Sequence, residues 1–248
     1  MTLERPRDAF GIDIGGSGIK GAPVDLGAGE LATERIRIDT PQPATPTAVA
    51  DVVAEIVDGF GWDGPIGCTF PGVVQQGVVR SAANVDRSWK DTDAAALFAE
   101  RAGRPVTVVN DADAAGVAEM RFGAGRGQNG SVLIVTLGTG IGTALFVDGN
   151  LVPNTELGHI EIDGVDAETR AASRWRKEHE LTWEEWGDRV DRYLRTVEAL
   201  VWPELIIIGG GVSKRHDKFF HRLHTSTPLV AAELRNDAGI VGAGLLTV

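Results

Sequence analysis

The stretch FGIDIGGSGIKGAPVD, residues 10–25, places Asp13 before a run of glycines and Lys20 after it. Glycines bare backbone N–H groups, which can then approach an anion without interference from a Cβ. Ser17 can add a hydroxyl donor and Lys20 a positive charge. Asp13 would repel a phosphate directly, so its useful role is to hold Mg²⁺, which bridges phosphate oxygens. The alternative is a plain hairpin with a glycine bulge, and the pattern is not a Walker A loop. A second stretch, LIVTLGTGIGTALFVDG at 133–149, repeats the arrangement. Gly138 falls 122 residues after Gly16, Thr139 matches Ser17, Gly140 follows, and Gly142 stands where Lys20 was. A third cluster, Gly209, Gly210 and Gly211, ends the apolar run LIII. Ligands in open α/β sheets sit at such strand ends. Three clusters favour a polyphosphate ligand over three unrelated turns.

Other residues suit an alcohol acceptor. In VVNDADAAG, Asn110 and Asp111 follow a buried strand and open a helix. Asx residues cap helices, and a helix N-terminus favours a negative charge. The same placement lets Asp111 take a proton from an attacking hydroxyl while Asn110 orients it. In NTELGHIEIDG, Glu156 and His159 are three apart and could converge on vicinal hydroxyls. A metal pair and a surface turn remain open, although one His and one Glu make a poor metal site. Thr69, Pro71 and Gly72 in CTFPGVVQQGVV, and Asn84 in AANVDRSW, could add hydroxyl contacts or be ordinary loops.

The elements that must position these groups alternate between strand and helix. TAVADVVAEIVDGF spaces Val49, Val52, Val53, Ile56 and Val57 helically, DTDAAALFAERAG ends at a capping Gly103, and WEEWGDRVDRYLRTVEAL has an apolar face. RPVTVVND and ELIIIGGG read as buried strands, and DTPQPATPTA as a connecting loop. The order predicts an α/β architecture of two related lobes, residues 1–110 and 111–248, with the last helix returning to the first. At 248 residues a sizeable core is possible, and 43% hydrophobic content is ordinary for a globular chain. Net charge of −11 disfavours a nucleic-acid partner. No apolar run is long enough to span a membrane, and MTLERPRDAF lacks an apolar leader core. The single cysteine, Cys68, permits no internal disulfide, which fits a reducing, cytoplasmic setting.

In order, DIGGSGIKG, NDADAA, LGTGIG, ELGH and GGGVS resemble the ROK-type sugar kinases, and TFPGVV, AANVDRSW and ELGHIE resemble the polyphosphate glucokinases and glucomannokinases among them. The resemblance implies the actin-like ATPase (ribonuclease H-like) fold, with two lobes and a cleft that closes on sugar. It implies phosphoryl transfer to the 6-hydroxyl of glucose from polyphosphate, ATP or both, and a homodimer. Asp111 matches the family's base, and Asn110, Glu156 and His159 match its sugar ligands, with Asn84 and Thr69 to Gly72 nearby. Gly15 to Ser17 and Gly138 to Gly140 match the phosphate loops, and Gly209 to Gly211 the adenosine-side loop. Many members carry a cysteine-rich zinc motif after this histidine. IEIDGVDAETRAASRW has no cysteine, so no zinc is expected, and Glu168 stands in for the sugar-binding acid that closes that motif.

Polyphosphate needs a basic track that ATP does not. SKRHDKFFHR supplies Lys214, Arg215, Lys218 and Arg222 with one acid, Asp217, or else is a solvated helix face. Rival readings are a strictly ATP-dependent hexokinase, a sugar-sensing repressor, a filament-forming relative and a polyphosphate or nucleotide hydrolase. The repressor would need an N-terminal helix-turn-helix, yet the first phosphate motif starts near residue 10.

Overall fold

The computed structural model describes residues 8–82, 85–234 and 237–247. They divide into two compact units: one runs to Ala118 and resumes at Asp237, and the other begins at Glu119 and fills the interval. The division therefore falls inside a helix rather than at residue 110.

The first unit opens with an antiparallel hairpin, β1 (Asp8–Ile14) and β2 (Ile19–Asp25), which β3 (Glu30–Leu31) and β4 (Ile36–Ile38) extend on the β2 side. Helix α1 (Pro46–Phe60) follows, with Val49, Val52, Val53, Ile56 and Val57 on its buried face. Thr45 accepts from the Ala48 N–H, proline occupies the first turn, and Gly61 at φ 59° ends the helix. The segment expected as a loop thus gives its last residues to the helix start. Next come β5 (Ile66–Phe70), the small hairpin of β6 (Val74–Gln75) and β7 (Val78–Val79), α2 (Ala94–Ala102), β8 (Val106–Asn110) and α3 (Asp111–Phe122). The sheet order is β3–β2–β1–β5–β8, with β5 and β8 parallel to β1. The rings of Phe70, Trp89 and Phe98 pack in a row, the first pair tilted and the second edge-to-face, and Trp89 donates to the Ala44 carbonyl at 2.8 Å. Cys68 is fully buried in β5, and burial pushes its thiol far up, so it is inert packing.

The last helix, Ala238–Leu245, belongs to this unit and packs on β1 and β5. It lies so close that a Cβ on Gly67 would overlap the Ala243 carbonyl oxygen, and one on Gly11 that of Ile240.

The second unit repeats the plan. Hairpin β9 (Ser131–Leu137) and β10 (Ile141–Val147) is edged by β11 (Asn150–Val152). After a small hairpin, β12 (Glu161–Ile162) with β13 (Val165–Asp166), come two short helices, α4 (Glu168–Ala171) and α5 (Ser173–Glu178), then the long α6 (Trp183–Val201). Strands β14 (Leu205–Gly209) and β15 (Leu229–Ala231) complete the order β11–β10–β9–β14–β15, with both parallel to β9. The repeat is not exact at the turns. Ile14 faces Ile19 but Leu137 faces Ile141, so the second turn is one residue shorter. Helix α6 starts with a capping box between Thr182 and Glu185, and buries Trp186, Val190, Tyr193, Leu194 and Val197. Among the described residues no helix is long and apolar enough to cross a membrane.

The close approach of the last helix predicts the result of adding one methyl. Gly67→Ala puts a Cβ into backbone that cannot rotate away, and should cost about 1–3 kcal/mol in denaturant unfolding. Gly103→Ala meets open space at φ 64° and should cost about 1 kcal/mol or less.

Candidate active site

In the first unit the β1–β2 turn is held from three sides. The Gly15 N–H donates to the Gly18 carbonyl at 3.2 Å, Thr40 donates to the Gly15 carbonyl at 2.5 Å, and Arg37 donates to the Ser17 carbonyl at 3.1 Å. Asp13 lies below the turn. Lys20 sits directly opposite on β2, with Nζ 3.4 Å from Asp13 Oδ2. The Thr69 hydroxyl donates to Asp13 Oδ1 at 3.1 Å and accepts from the Ile14 N–H at 3.0 Å. Thr69 has no exposed surface, which corrects its expected place as a hydroxyl contact: it supports Asp13 instead. Gly15, Gly16 and Pro71 do share a pocket, a cavity of about 220 Å³ that Thr40 and Asp86 also line.

Asn110 is buried. Its Oδ1 accepts from the Ala112 and Asp113 N–H groups at 2.8 and 3.0 Å, which caps α3, and its Nδ2 donates to the Gly72 carbonyl at 3.1 Å. The cap thereby ties the Pro71–Gly72 loop to the start of α3. Asp111 is the first residue of that helix, and its Oδ1 accepts from the Ala112 N–H at 2.9 Å. Asn84 lies outside the described residues.

In the second unit four side chains converge. His159 ends a short 3₁₀ turn, Leu157–His159, which packs on β10 so tightly that a Cβ on Gly158 would overlap the Ile141 carbonyl. Its Nδ1–H donates to Asp166 Oδ2 at 2.9 Å, while Nε2 lies 3.8 Å from Glu156 Oε2 and 4.0 Å from Glu168 Oε2. Burial alone would lower the His159 pKa, but the Asp166 hydrogen bond and the charges of Glu168, Asp166 and Glu156 outweigh it and raise the value. Burial pushes Glu156 up, Glu168 adds to this and His159 opposes it. Glu168 also reaches the glycine turn: its Oε2 accepts from the Ile141 N–H at 2.8 Å and occupies the space a Cβ on Gly140 would take.

The β9–β10 turn opens onto a cavity of about 640 Å³ lined by Gly138, Thr139, Trp183 and Gly211, with Arg174, Arg176, Lys177 and Arg215. No acid lines it. The Arg174 N–H donates to the Gly138 carbonyl at 3.1 Å, so the basic segment is fastened to the turn. The three C-terminal glycines divide their roles. Gly209 is strand, Gly211 lines the cavity, and Gly210 takes φ 78° where a Cβ would stand 2.6 Å from the Leu137 carbonyl oxygen. Of the expected basic track only Arg215 lines the cavity. Lys218 stands 5.8 Å over the Trp183 ring, Arg222 is paired with Asp188 at 2.6 Å, and Lys214 is exposed. Arg222 is thus paired on the surface and lies outside the cavity lining.

Five residues escaped the sequence reading: Arg37, Asp166, Arg174, Arg176 and Lys177. Asp166 had a signal, because Asp163-Gly164, both at positive φ, is the hairpin dipeptide that folds β13 back beside His159. The run RWRK at 174–177 was also visible as three cations in four residues.

A model of the ROK family matches residues 9–179. The chain belongs to the ROK family. It is 54% identical over 243 residues to a polyphosphate glucokinase of Mycobacterium tuberculosis, covering 98% of this chain and 92% of that protein. It is similar to the crystal structure of an inorganic polyphosphate/ATP-glucomannokinase from an Arthrobacter strain, with TM-score 0.94, 55% identity, and 97% and 98% of the two chains covered. A ROK family glucokinase from Streptomyces griseus, solved with glucose and AMPPNP, matches at TM-score 0.83 and 26% identity over 97% of this chain and 99% of that one. The fold of these relatives is that of the actin-like ATPases, and the two repeated sheets here are that fold.

The His159 cluster makes a titration prediction. Folding favours the imidazolium, so its contribution to stability is present below the ordinary histidine range and fades as pH rises through the raised value. An NMR titration should find the His159 midpoint above that of an ordinary histidine, and Asp166→Asn should lower it. An unmoved midpoint in the variant would contradict the pairing.

Proposed function

We propose that this ROK family chain is a polyphosphate glucokinase: it moves the terminal phosphoryl group of inorganic polyphosphate, or of ATP, to the 6-hydroxyl of glucose. The observation that carries this reading is identity above half, over nearly the whole chain, with proteins named for that activity. The site supports it. Acid and imidazole groups suited to sugar hydroxyls lie in the same unit as a glycine turn and a cation-lined cavity.

Asp111 is the general base. As the glucose 6-oxygen forms a bond to the terminal phosphorus, the bridging P–O bond breaks, and its electron pair stays on the shortened donor. The hydroxyl proton passes to the Asp111 carboxylate. Glu156, His159 and Glu168 bind sugar hydroxyls, with Asn110 holding the helix that presents Asp111. The bared N–H groups of Gly15, Gly16, Gly138 and Gly140, with Ser17 and Thr139, bind phosphate oxygens. Lys20 is assigned to the donor phosphates through its pairing with Asp13.

Phosphoryl transfer of this kind usually needs a divalent metal. Mg²⁺ fits Asp13, a part-exposed carboxylate offering hard oxygens, since Mg²⁺ takes one or two carboxylates together with substrate phosphates. When bound it would offset the charge of the donor's phosphates. The proposed partners are glucose, polyphosphate and ATP, in a cytoplasmic homodimer.

Asp111→Asn keeps the shape of the side chain and removes the base. Turnover should fall by about 10²–10⁴-fold while glucose affinity holds within a few-fold. Turnover near wild type would remove Asp111 from this role.

A further inference from the structure

The cation set of the second unit's cavity has a chemistry more specific than phosphate binding. In a chain of net charge −11, four cations and, among the described residues, no acid line this space. Arg174 is partly offset by Glu178 at 3.0 Å. Lys177 and Arg215 are exposed, and among the described residues neither has an ion-pair partner. The Arg176 guanidinium lies 4.1 Å over the Trp183 ring and donates to the Leu181 carbonyl at 3.2 Å, which fixes its direction.

Among the described residues Trp183 is the one aromatic side chain that lines the cavity. Arg176 covers one of its faces, Lys218 stands 5.8 Å from the ring, and Phe219 lies parallel to it at 6.0 Å. A nucleoside base stacking on that face of Trp183 would have to displace the guanidinium. A chain of phosphates needs no platform and is attracted by all four cations.

We propose that this cavity selects inorganic polyphosphate over a nucleoside triphosphate: Arg176, clamped on Trp183, and the unpaired Lys177 and Arg215 grip successive phosphates of a base-free chain beyond the one transferred. The inference rests on the phosphotransferase reading above and names the residues that set its donor preference. It differs from the expected track at 214–222, because the segment at 174–177, fastened to the glycine turn, supplies most of the charge.

The test uses the whole chain and the double variant Lys177→Gln with Arg215→Gln. Both positions are exposed, so folding should be unchanged, as circular dichroism and thermal unfolding would verify. Binding of long-chain inorganic polyphosphate, tripolyphosphate and ATP is measured directly over a range of salt concentrations, without glucose. Wild type should bind the long chain more tightly than tripolyphosphate. The variant should lose about tenfold in long-chain affinity, and its salt slope should shrink by roughly 0.7 per lost contact, the scale for a single-stranded polyanion. ATP affinity should change less than about threefold. Unchanged long-chain affinity and slope, or an equal loss for ATP, would overturn the inference. Glucose 6-phosphate formation by the wild-type chain separates the two levels. Turnover of polyphosphate by a wild type whose variant binds it unchanged defeats this inference alone, and no turnover with polyphosphate defeats the donor reading beneath it.

Discussion

The turn between β9 and β10 is pinned on both flanks by one stretch of chain. The Glu168 carboxylate accepts from the Ile141 N–H after the turn, and the Arg174 N–H donates to the Gly138 carbonyl before it. Between these two bonds the chain breaks from α4 into α5, and the break is itself held. The buried Trp186 indole of α6 donates to the Ala171 and Ala172 carbonyls at 3.0 and 3.3 Å. A core tryptophan thus sets where the helices part. That sets where Glu168 meets the His159 cluster and where Arg174 to Lys177 meet the cavity. Two unlike chemistries, a cluster of acids with an imidazole and a cluster of cations, are positioned by one buried ring.

Absent Cβ atoms are the second constraint. Glu168 reaches Ile141 only because Gly140 leaves the space empty, and the 3₁₀ turn of His159 sits on β10 only because Gly158 does. The same device seats the last helix on β1 and β5 in the first unit. Glycines that look like phosphate-loop signatures therefore serve packing as well. Gly210 is the plainest case, since its backbone lies against Leu137 while its neighbour Gly211 lines the cavity.

Much of the fold was legible because it follows from short-range rules. The valine spacing, Thr45 and Gly61 bound α1, Asp93 and Gly103 bound α2, and the two glycine stretches did become the paired hairpins. The one-residue difference between the turns was hidden, because alignment on Gly16 and Gly138 preserves the second strands but not the first. Side-chain neighbours were legible where the motif lies within one turn, as with Glu156 and His159. They were not where partners are distant in sequence. Thr69 looked free to bind hydroxyls until Asp13 and Ile14 claimed its oxygen, and Arg222 looked free until Asp188 did. The cations at 174–177 look like a solvated helix until the bond to Gly138 turns them toward the glycine loop.

The chain is proposed above as a sugar phosphotransferase whose donor is a polyanion rather than a nucleotide alone. The direct measurement is glucose 6-phosphate formed by the purified chain, with polyphosphate and ATP supplied side by side at equal concentrations of transferable phosphate, and free phosphate followed in parallel. Glucose 6-phosphate should form from polyphosphate at a rate at least matching that from ATP, with no phosphate released when glucose is omitted. Phosphate release without glucose, or product from ATP alone, would contradict it.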